Sequence, residues 1–364
     1  MSTPRVLVLG WIGSTNLGDE LIAEQTCRML TDAGCQPTVA TIDSEVSARL
    51  GVPMVVHAGA RDAVSLARAI THHDGVVFGG GGLIQDETGP LNIPFHLSRL
   101  ATARMMRKPW AGVALGIGDV RRRSGKVLVR GILRNAVAIS VRDEASARRH
   151  LELTGQSAAA TADPVFLTDL PTTAESDHLV VSLRRANDVN QRRLKATDPP
   201  SIGRVRLWAE IIDAVATTRR LDVRFVAWER EQDTPLHEAV AAQLQSRSTI
   251  ESPGPYEIVS RMGAGRMVLT MRYHGAISGL LHRRPCVTLD YSPKMADLVA
   301  ESYGGMALAP LDVSPPEILA EFDSIFDKTV ERTEALAGFR AKADRNRQVV
   351  ERLAEAIRET KAGD

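Results

Sequence analysis

The chain has 364 residues, 44% of them hydrophobic and 24% charged, with a formal net charge of +1. At ~150 residues per domain this is an ordinary soluble globular protein of about two domains. Disorder, collagen, coiled coil and an overall basic nucleic-acid binder do not fit it.

In chain order, short β-branched runs alternate with longer helical patterns. Arg5 to Leu9 reads as a strand and Asp19 to Ala33 as a helix, with Asp19 and Glu20 at its positive dipole end and Gly34 closing it. Strands are expected at Thr38 to Ile42, Gly75 to Phe78, Trp110 to Leu115 and Ala136 to Val141. Helices are expected at Asp62 to Thr71, Ile93 to Arg107 and Glu144 to Thr154. A polar, Pro-containing linker follows at Leu167 to Asp177. The alternation then restarts, with strands at His178 to Leu183, Val223 to Ala227, Met267 to Thr270 and Pro285 to Leu289 and a helix at Gly203 to Thr217. Ser314 to Ala362 is helical in pattern throughout. This predicts an α/β protein with two parallel sheets: one domain over residues 1–170, a second over 175–313, and C-terminal helices over 314–364.

The longest near-apolar stretch, Pro109 to Gly118, has ten residues, four of them Gly or Pro. A membrane span needs ~20, so none is expected. The N-terminal MSTPRVLVLG lacks a signal-peptide layout. Cys27, Cys35 and Cys286 have no metal-ligand spacing. A reducing cytoplasmic compartment is the expectation.

Ligands of open parallel sheets bind beyond the carboxyl ends of the strands. Four post-strand segments carry chemistry. GWIGSTNLGDE (Gly10 to Glu20) lets backbone N–H groups approach a ligand at a helix start, or is a tight turn with Asn16 and Asp19 as caps. Its glycines miss the dinucleotide fingerprint. FGGGGLIQDE (Phe78 to Glu87) has four successive glycines, which favour close ligand approach; its Asp86 either orients a hydroxyl or caps a turn. VSLRR (Val181 to Arg185) places Arg184 after the strand that opens the second domain, where a guanidinium suits phosphate or carboxylate. MRYHG, within Met271 to Met295, sets Arg272 two residues from His274, an anion binder beside a proton carrier if the chain is extended there. His72, His73, His150, His178 and His282 read as surface or packing residues. No Asp-x-Asp, H-E-x-x-H, G-x-S-x-G or paired C-x-x-C occurs, so neither metal nor cofactor is expected. Arg99 to Arg134 holds ten basic residues against one acidic. Its Arg121-Arg122-Arg123 core suits a phosphate-rich substrate or peripheral contact with an anionic membrane, or is a solvated face.

Taken in order, GWIGSTNLGDE, FGGGGLIQD, SVRDEAS (Ser140 to Ser146), ADPVF (Ala162 to Phe166), VSLR and MRYHG resemble the polysaccharide pyruvyl transferase family, over roughly residues 5 to 305. The resemblance implies two Rossmann-like domains similar to the glycosyltransferase B architecture. It implies transfer of the enolpyruvyl unit of phosphoenolpyruvate, as co-substrate, to a sugar, glycan or glycosylated small molecule, commonly closing a pyruvate ketal. It implies that Arg184 and Arg272 hold the donor's phosphate and carboxylate and that His274 is the general acid/base. It further implies that Asn16, Gly18, Asp19, Gly80, Gly81, Gly82, Gln85 and Asp86 shape the acceptor side, and that Tyr291 and Lys294 line the site. Two positions depart from the family's pattern and bear on acceptor identity: Ile12, where a second aromatic usually follows Trp11, and Asp119, where a Pro is usual.

Two other functions share these features. One is a nucleotide-sugar-dependent glycosyltransferase of the same architecture. The other is a non-catalytic phosphosugar-binding protein. The long C-terminal helices would suit a homodimer.

Overall fold

A computed structural model describes residues 2–57, 62–86, 89–170, 175–185 and 202–363, apart from the side chain of Arg49. The chain divides into two compact units, Met1–Thr168 with Phe339–Asp364, and Asp169–Gly338. Residues 171–174 of the expected linker, and Glu87 of the second glycine segment, lie outside the described residues.

The first unit is built on β1 (Arg5–Leu9), β2 (Gln36–Thr41), β3 (Met54–Val56), β4 (Gly75–Phe78), β5 (Gly81–Ile84), β6 (Trp110–Ile117), β7 (Ala138–Val141) and β8 (Ala159–Ala160). Their order is β3-β2-β1-β4-β6-β7-β8, with β5 paired to β6. Every pairing is parallel. Both faces are covered, as the run Arg5–Leu9 requires: successive side chains of a strand point to opposite faces, so an unbroken apolar run needs two layers. Val6 and Val8 pack with Leu30, Val350 and Leu353. Leu7 and Leu9 pack with Ile70, Leu97 and Val129.

The second unit repeats the plan with β9 (Ser176–Ser182), β10 (Asp222–Val226), β11 (Ser248–Glu251), β12 (Gly265–Thr270), β13 (Cys286–Leu289) and β14 (Ala307–Ala309). Their order is β11-β10-β9-β12-β13-β14, again wholly parallel. In each sheet the order reverses at one place, between β1 and β4 and between β9 and β12. In open parallel sheets this is where ligands bind, beyond the carboxyl ends of the strands.

The 314–364 pattern resolves into helices Pro315–Ile325, Thr329–Asp344 and Asn346–Gly363. They are shared between the units. Ile318, Phe322 and Ile325 join the second core with Trp208 and Phe225. Val349, Val350, Leu353 and Ile357 join the first. Asn346 anchors the last helix: its Oδ1 accepts from Ser140 Oγ at 2.6 Å and Thr161 Oγ1 at 2.9 Å, and its Nδ2 donates to Ala162 O at 3.0 Å.

Two local expectations are corrected. Gly81–Ile84 is a short strand, not part of a loop: after the Gly79–Gly80 turn the chain re-enters the sheet beside β6. The chain is extended at Arg272 but helical from Tyr273, so Arg272 and His274 are not paired by strand alternation. The three cysteines are buried free thiols. Burial pushes Cys27 and Cys286 up to about 12, which leaves them inert near neutrality. Among the described residues no helix is long and apolar enough to cross a membrane.

Candidate active site

In the second unit the site residues stand at the carboxyl ends of β9, β10, β12 and β13, around the reversal point. Arg184 follows β9. Its guanidinium lies 4.8 Å from the centroid of the Tyr291 ring, and Nη1 donates to the Tyr291 hydroxyl at 3.4 Å. Tyr291 follows β13, and Lys294 stands in the first turn of helix Pro293–Ala300. Its Nζ is 5.5 Å from the Tyr291 ring and 5.6 Å from that of Tyr273. Burial by itself would raise the Tyr291 phenol, but Lys294, Arg184 and Arg272 outweigh it and bring it down to about 8. A phenol held there changes protonation within reach of neutral pH.

Arg272 ends the β12 loop and is 6% exposed. Its Nη2 contacts Asp233 closely and Glu229 at 3.3 Å. Burial opposes the charge, yet the two carboxylates raise the guanidinium above its ordinary value and keep it protonated. Asp233 is fully buried and fully used: Oδ2 accepts from the backbone N–H of Trp228 and of Glu229, each at 3.0 Å. His237, one helical turn on, has Nε2 at 3.1 Å from both the N–H and the carbonyl of Leu183. Helix Arg230–Ala241 thereby ties the ends of β9, β10 and β12 together.

His274 stands in the first turn of helix Tyr273–Leu281, its ring 5.9 Å from that of Trp228 and 5.5 Å from that of Tyr273. Three further polar atoms at the strand ends are buried with no hydrogen-bond partner among the described residues: Ser182 Oγ, Trp228 Nε1 and Arg272 Nε. A buried polar atom without a partner calls for one, and a bound ligand is one way to supply it.

In the first unit, the turn after β1 is held from within. Glu20 accepts from Gly13 N at 2.5 Å and from Ser47 Oγ at 3.0 Å. Burial is the main reason its carboxyl lies above the usual range. Asn16 caps helix Leu17–Asp32 through Gly18 N at 3.3 Å and donates to Asp19 at 2.6 Å. Gly81 has φ +95°, and a Cβ there would lie 2.8 Å from Asp19 Oδ1. Glycine is what lets the β5 backbone meet that carboxylate. A Cβ on Gly80 would lie 2.8 Å from Ala114 O, and one on Gly82 3.8 Å from Arg142. Gln85 packs over Gly118. Asp86 accepts from Arg121 N and Arg122 N, each at 2.9 Å, so one of its oxygens shapes the loop after β6. Arg121, Arg122 and Arg123 are exposed.

The expected residues thus fall into two groups. Arg184, Arg272, His274, Tyr291 and Lys294 gather in the second unit; Asn16, Gly18, Asp19, Gly80, Gly81, Gly82, Gln85 and Asp86 gather in the first. Sequence reasoning missed Asp233 and His237, because Pro235 breaks the helical pattern that carries them, and missed Trp228 and Glu229, which directly follow a predicted strand. It missed Arg142, although SVRDEAS contains it, and His96, inside a predicted helix; Arg99 it named only as the start of a basic stretch.

A sequence model of the polysaccharide pyruvyl transferase family matches residues 16–293. The chain belongs to that family. No curated protein sequence matches it significantly. Among solved structures, this pyruvyl transferase family member is similar to Staphylococcus aureus MnaA, in a co-structure with UDP, at TM-score 0.63 and 10% identity over 95% of this chain and 94% of that one. It is similar to the UDP-GlcNAc 2-epimerase of Methanocaldococcus jannaschii at TM-score 0.59 and 14% identity, over 89% and 92%. Anabaena Alr3699/HepE, in complex with UDP, follows at 0.55 and 12%, over 99% and 100%. Identities this low speak for the fold, which is that of the glycosyltransferase B architecture.

Proposed function

We propose that this family member transfers the enolpyruvyl unit of phosphoenolpyruvate to a hydroxyl of a sugar, glycan or glycosylated small molecule, and that a second hydroxyl closes a pyruvate ketal. The observation that carries this reading is the convergence of Arg184, Lys294 and Arg272 with His274 at one reversal point, beside three orphaned polar atoms. The donor concentrates about three negative charges in a small volume, and guanidinium groups are the strongest partners for them.

Arg184 and Arg272 hold the phosphate and carboxylate. Lys294 adds a point charge, and Tyr291 holds Arg184 in place. His274 gives a proton to C3 of the enol, which makes C2 oxocarbenium-like. An acceptor hydroxyl bonds to C2 and its proton passes to His274, which restores the acid. The C2–O bond to phosphate breaks with its electron pair, the second hydroxyl bonds to C2 in turn, and its proton leaves with the phosphate. No redox change occurs. A proton donor so placed contributes ~10²–10⁴ in rate. His274→Ala is therefore expected to lose about that factor in phosphate release while phosphoenolpyruvate still raises its melting temperature. Unchanged turnover would remove His274 from the chemistry.

The UDP complexes among structures of this fold support a second reading, transfer from a nucleotide sugar. Thermal shift separates the two. A ligand at 100 times its Kd adds about 2.7 kcal/mol, so phosphoenolpyruvate should stabilise the protein and UDP should not.

A further inference from the structure

Arg99, in helix Asn92–Met105 of the first unit, is a buried cation with no carboxylate partner among the described residues. It is 4% exposed, and burial drags its guanidinium down to about 10. A charge so placed costs several kcal/mol unless something repays it. Its contacts say what it fixes. Nη1 donates to Gly10 O at 3.0 Å, the carbonyl just before Trp11. Nη2 lies 2.6 Å from His96 Nδ1. A guanidinium cannot accept a hydrogen bond, so His96 Nδ1 accepts and the neutral ring carries its proton on Nε2. Arg99 also sits over the Phe95 ring at 4.9 Å.

Trp11 is braced edge-on against Phe95 and His96, both at 5.7 Å. It is nevertheless 37% exposed. His96 Nε2 has no hydrogen-bond partner among the described residues. The arrangement is a fixed aromatic surface beside a hydrogen-bond donor whose tautomer is locked.

We infer that Trp11 and His96 form a subsite for a pyranose ring, the apolar C–H face of the sugar lying on the indole and a ring hydroxyl accepting from His96 Nε2–H, with Arg99 as the positioning residue. The inference rests on the transferase reading above for calling that sugar the acceptor. It adds which residues meet the sugar: with Arg99 on Nδ1, the proton of the neutral His96 ring is kept on Nε2.

The test exploits the four tryptophans. Trp110, Trp208 and Trp228 are at most 2% exposed, so acrylamide-quenchable fluorescence reports Trp11 alone. Methyl pyranosides of glucose, galactose, mannose and N-acetylglucosamine are the probes, at millimolar concentration. At least one should protect Trp11 from quenching, and His96→Leu should weaken that protection roughly fivefold to tenfold, with His96→Gln, which keeps an amide donor, restoring part of it. Binding should be flat from pH 8 to about 5; in Arg99→Met the neutral ring can carry its proton on Nδ1 instead, so protection should weaken near pH 8 and recover below about 6.5, where the imidazolium donates from both nitrogens. Because Trp11 is 37% exposed, Trp11→Ala should fold. Protection by no pyranoside overturns the subsite. Phosphate release from phosphoenolpyruvate, read in the same mixtures, tests the underlying reading separately. Protection without phosphate release keeps the subsite and rejects pyruvyl transfer. Acceptor-dependent release with an unchanged KM in Trp11→Ala and His96→Leu keeps transfer and rejects the subsite.

Discussion

Arg272 is not a bare cation waiting for an anion. It shares its charge with Asp233 and Glu229, and the two carboxylates have different work. Asp233 is fully buried and holds two backbone amides as well as the guanidinium. Asp233→Asn leaves a buried charge short of its partner, and breaking such a pair costs about 3–5 kcal/mol. A urea unfolding curve should show that loss, and an unshifted midpoint would mean the pair is not held in solution. Glu229 is only partly buried and sits 3.3 Å from Nη2. An incoming anion competes with it for the same guanidinium. Glu229→Gln should therefore tighten phosphoenolpyruvate about threefold to tenfold, the worth of one partly screened charge. Weaker binding in a titration would show that Glu229 helps the donor instead.

At the level of elements, the turn after β1 is the most exacting piece of chain. Gly13 has φ +81°, and a Cβ there would fall 2.3 Å from Thr41 Oγ1. Gly13→Ala combines left-handed strain with displacement of β2's last residue and of the Glu20 bond. The expected cost is at least about 2 kcal/mol, roughly 4–8 °C in melting temperature for a unit of this size. A variant melting within a degree of the parent would show that the turn yields. The strands β1 and β4 and helix Glu144–Thr154 were legible residue for residue, because apolar runs and caps such as Asp143 are local signals. The strand β5 was not, since glycines carry no apolar pattern and pairing with β6 decided its conformation. Helix Arg230–Ala241 was not either, since Pro235 lies inside it and packing overrode the sequence signal.

Across the molecule, burial holds seven histidines below their ordinary value: His57, His73, His96, His150, His178, His237 and His282. His237 falls to about 4 and His96 to about 3. The unfolded chain then binds more protons than the folded one between those values and about 6.5, so stability is full above that range and is lost as pH falls through it. Each of these two costs roughly 2 kcal/mol between pH 6.5 and 5. The urea midpoint should drop over that interval, before ordinary carboxylates titrate, and a flat profile would contradict the buried neutral rings.

The sequence by itself determined two parallel α/β units, the post-strand loops that carry Arg184, Arg272 and His274, and the family to which they belong. Those are properties of runs, caps and spacings along the chain. Only the tertiary structure decided that Arg272 is clamped by Asp233 and Glu229, and that Arg99 locks the ring of His96 beside Trp11. Arg272 lies 39 and 43 residues from its carboxylates and Arg99 lies 89 from Gly10; even the Arg99–His96 pair, one turn apart on one helix, draws its energy from burial, which no local pattern encodes.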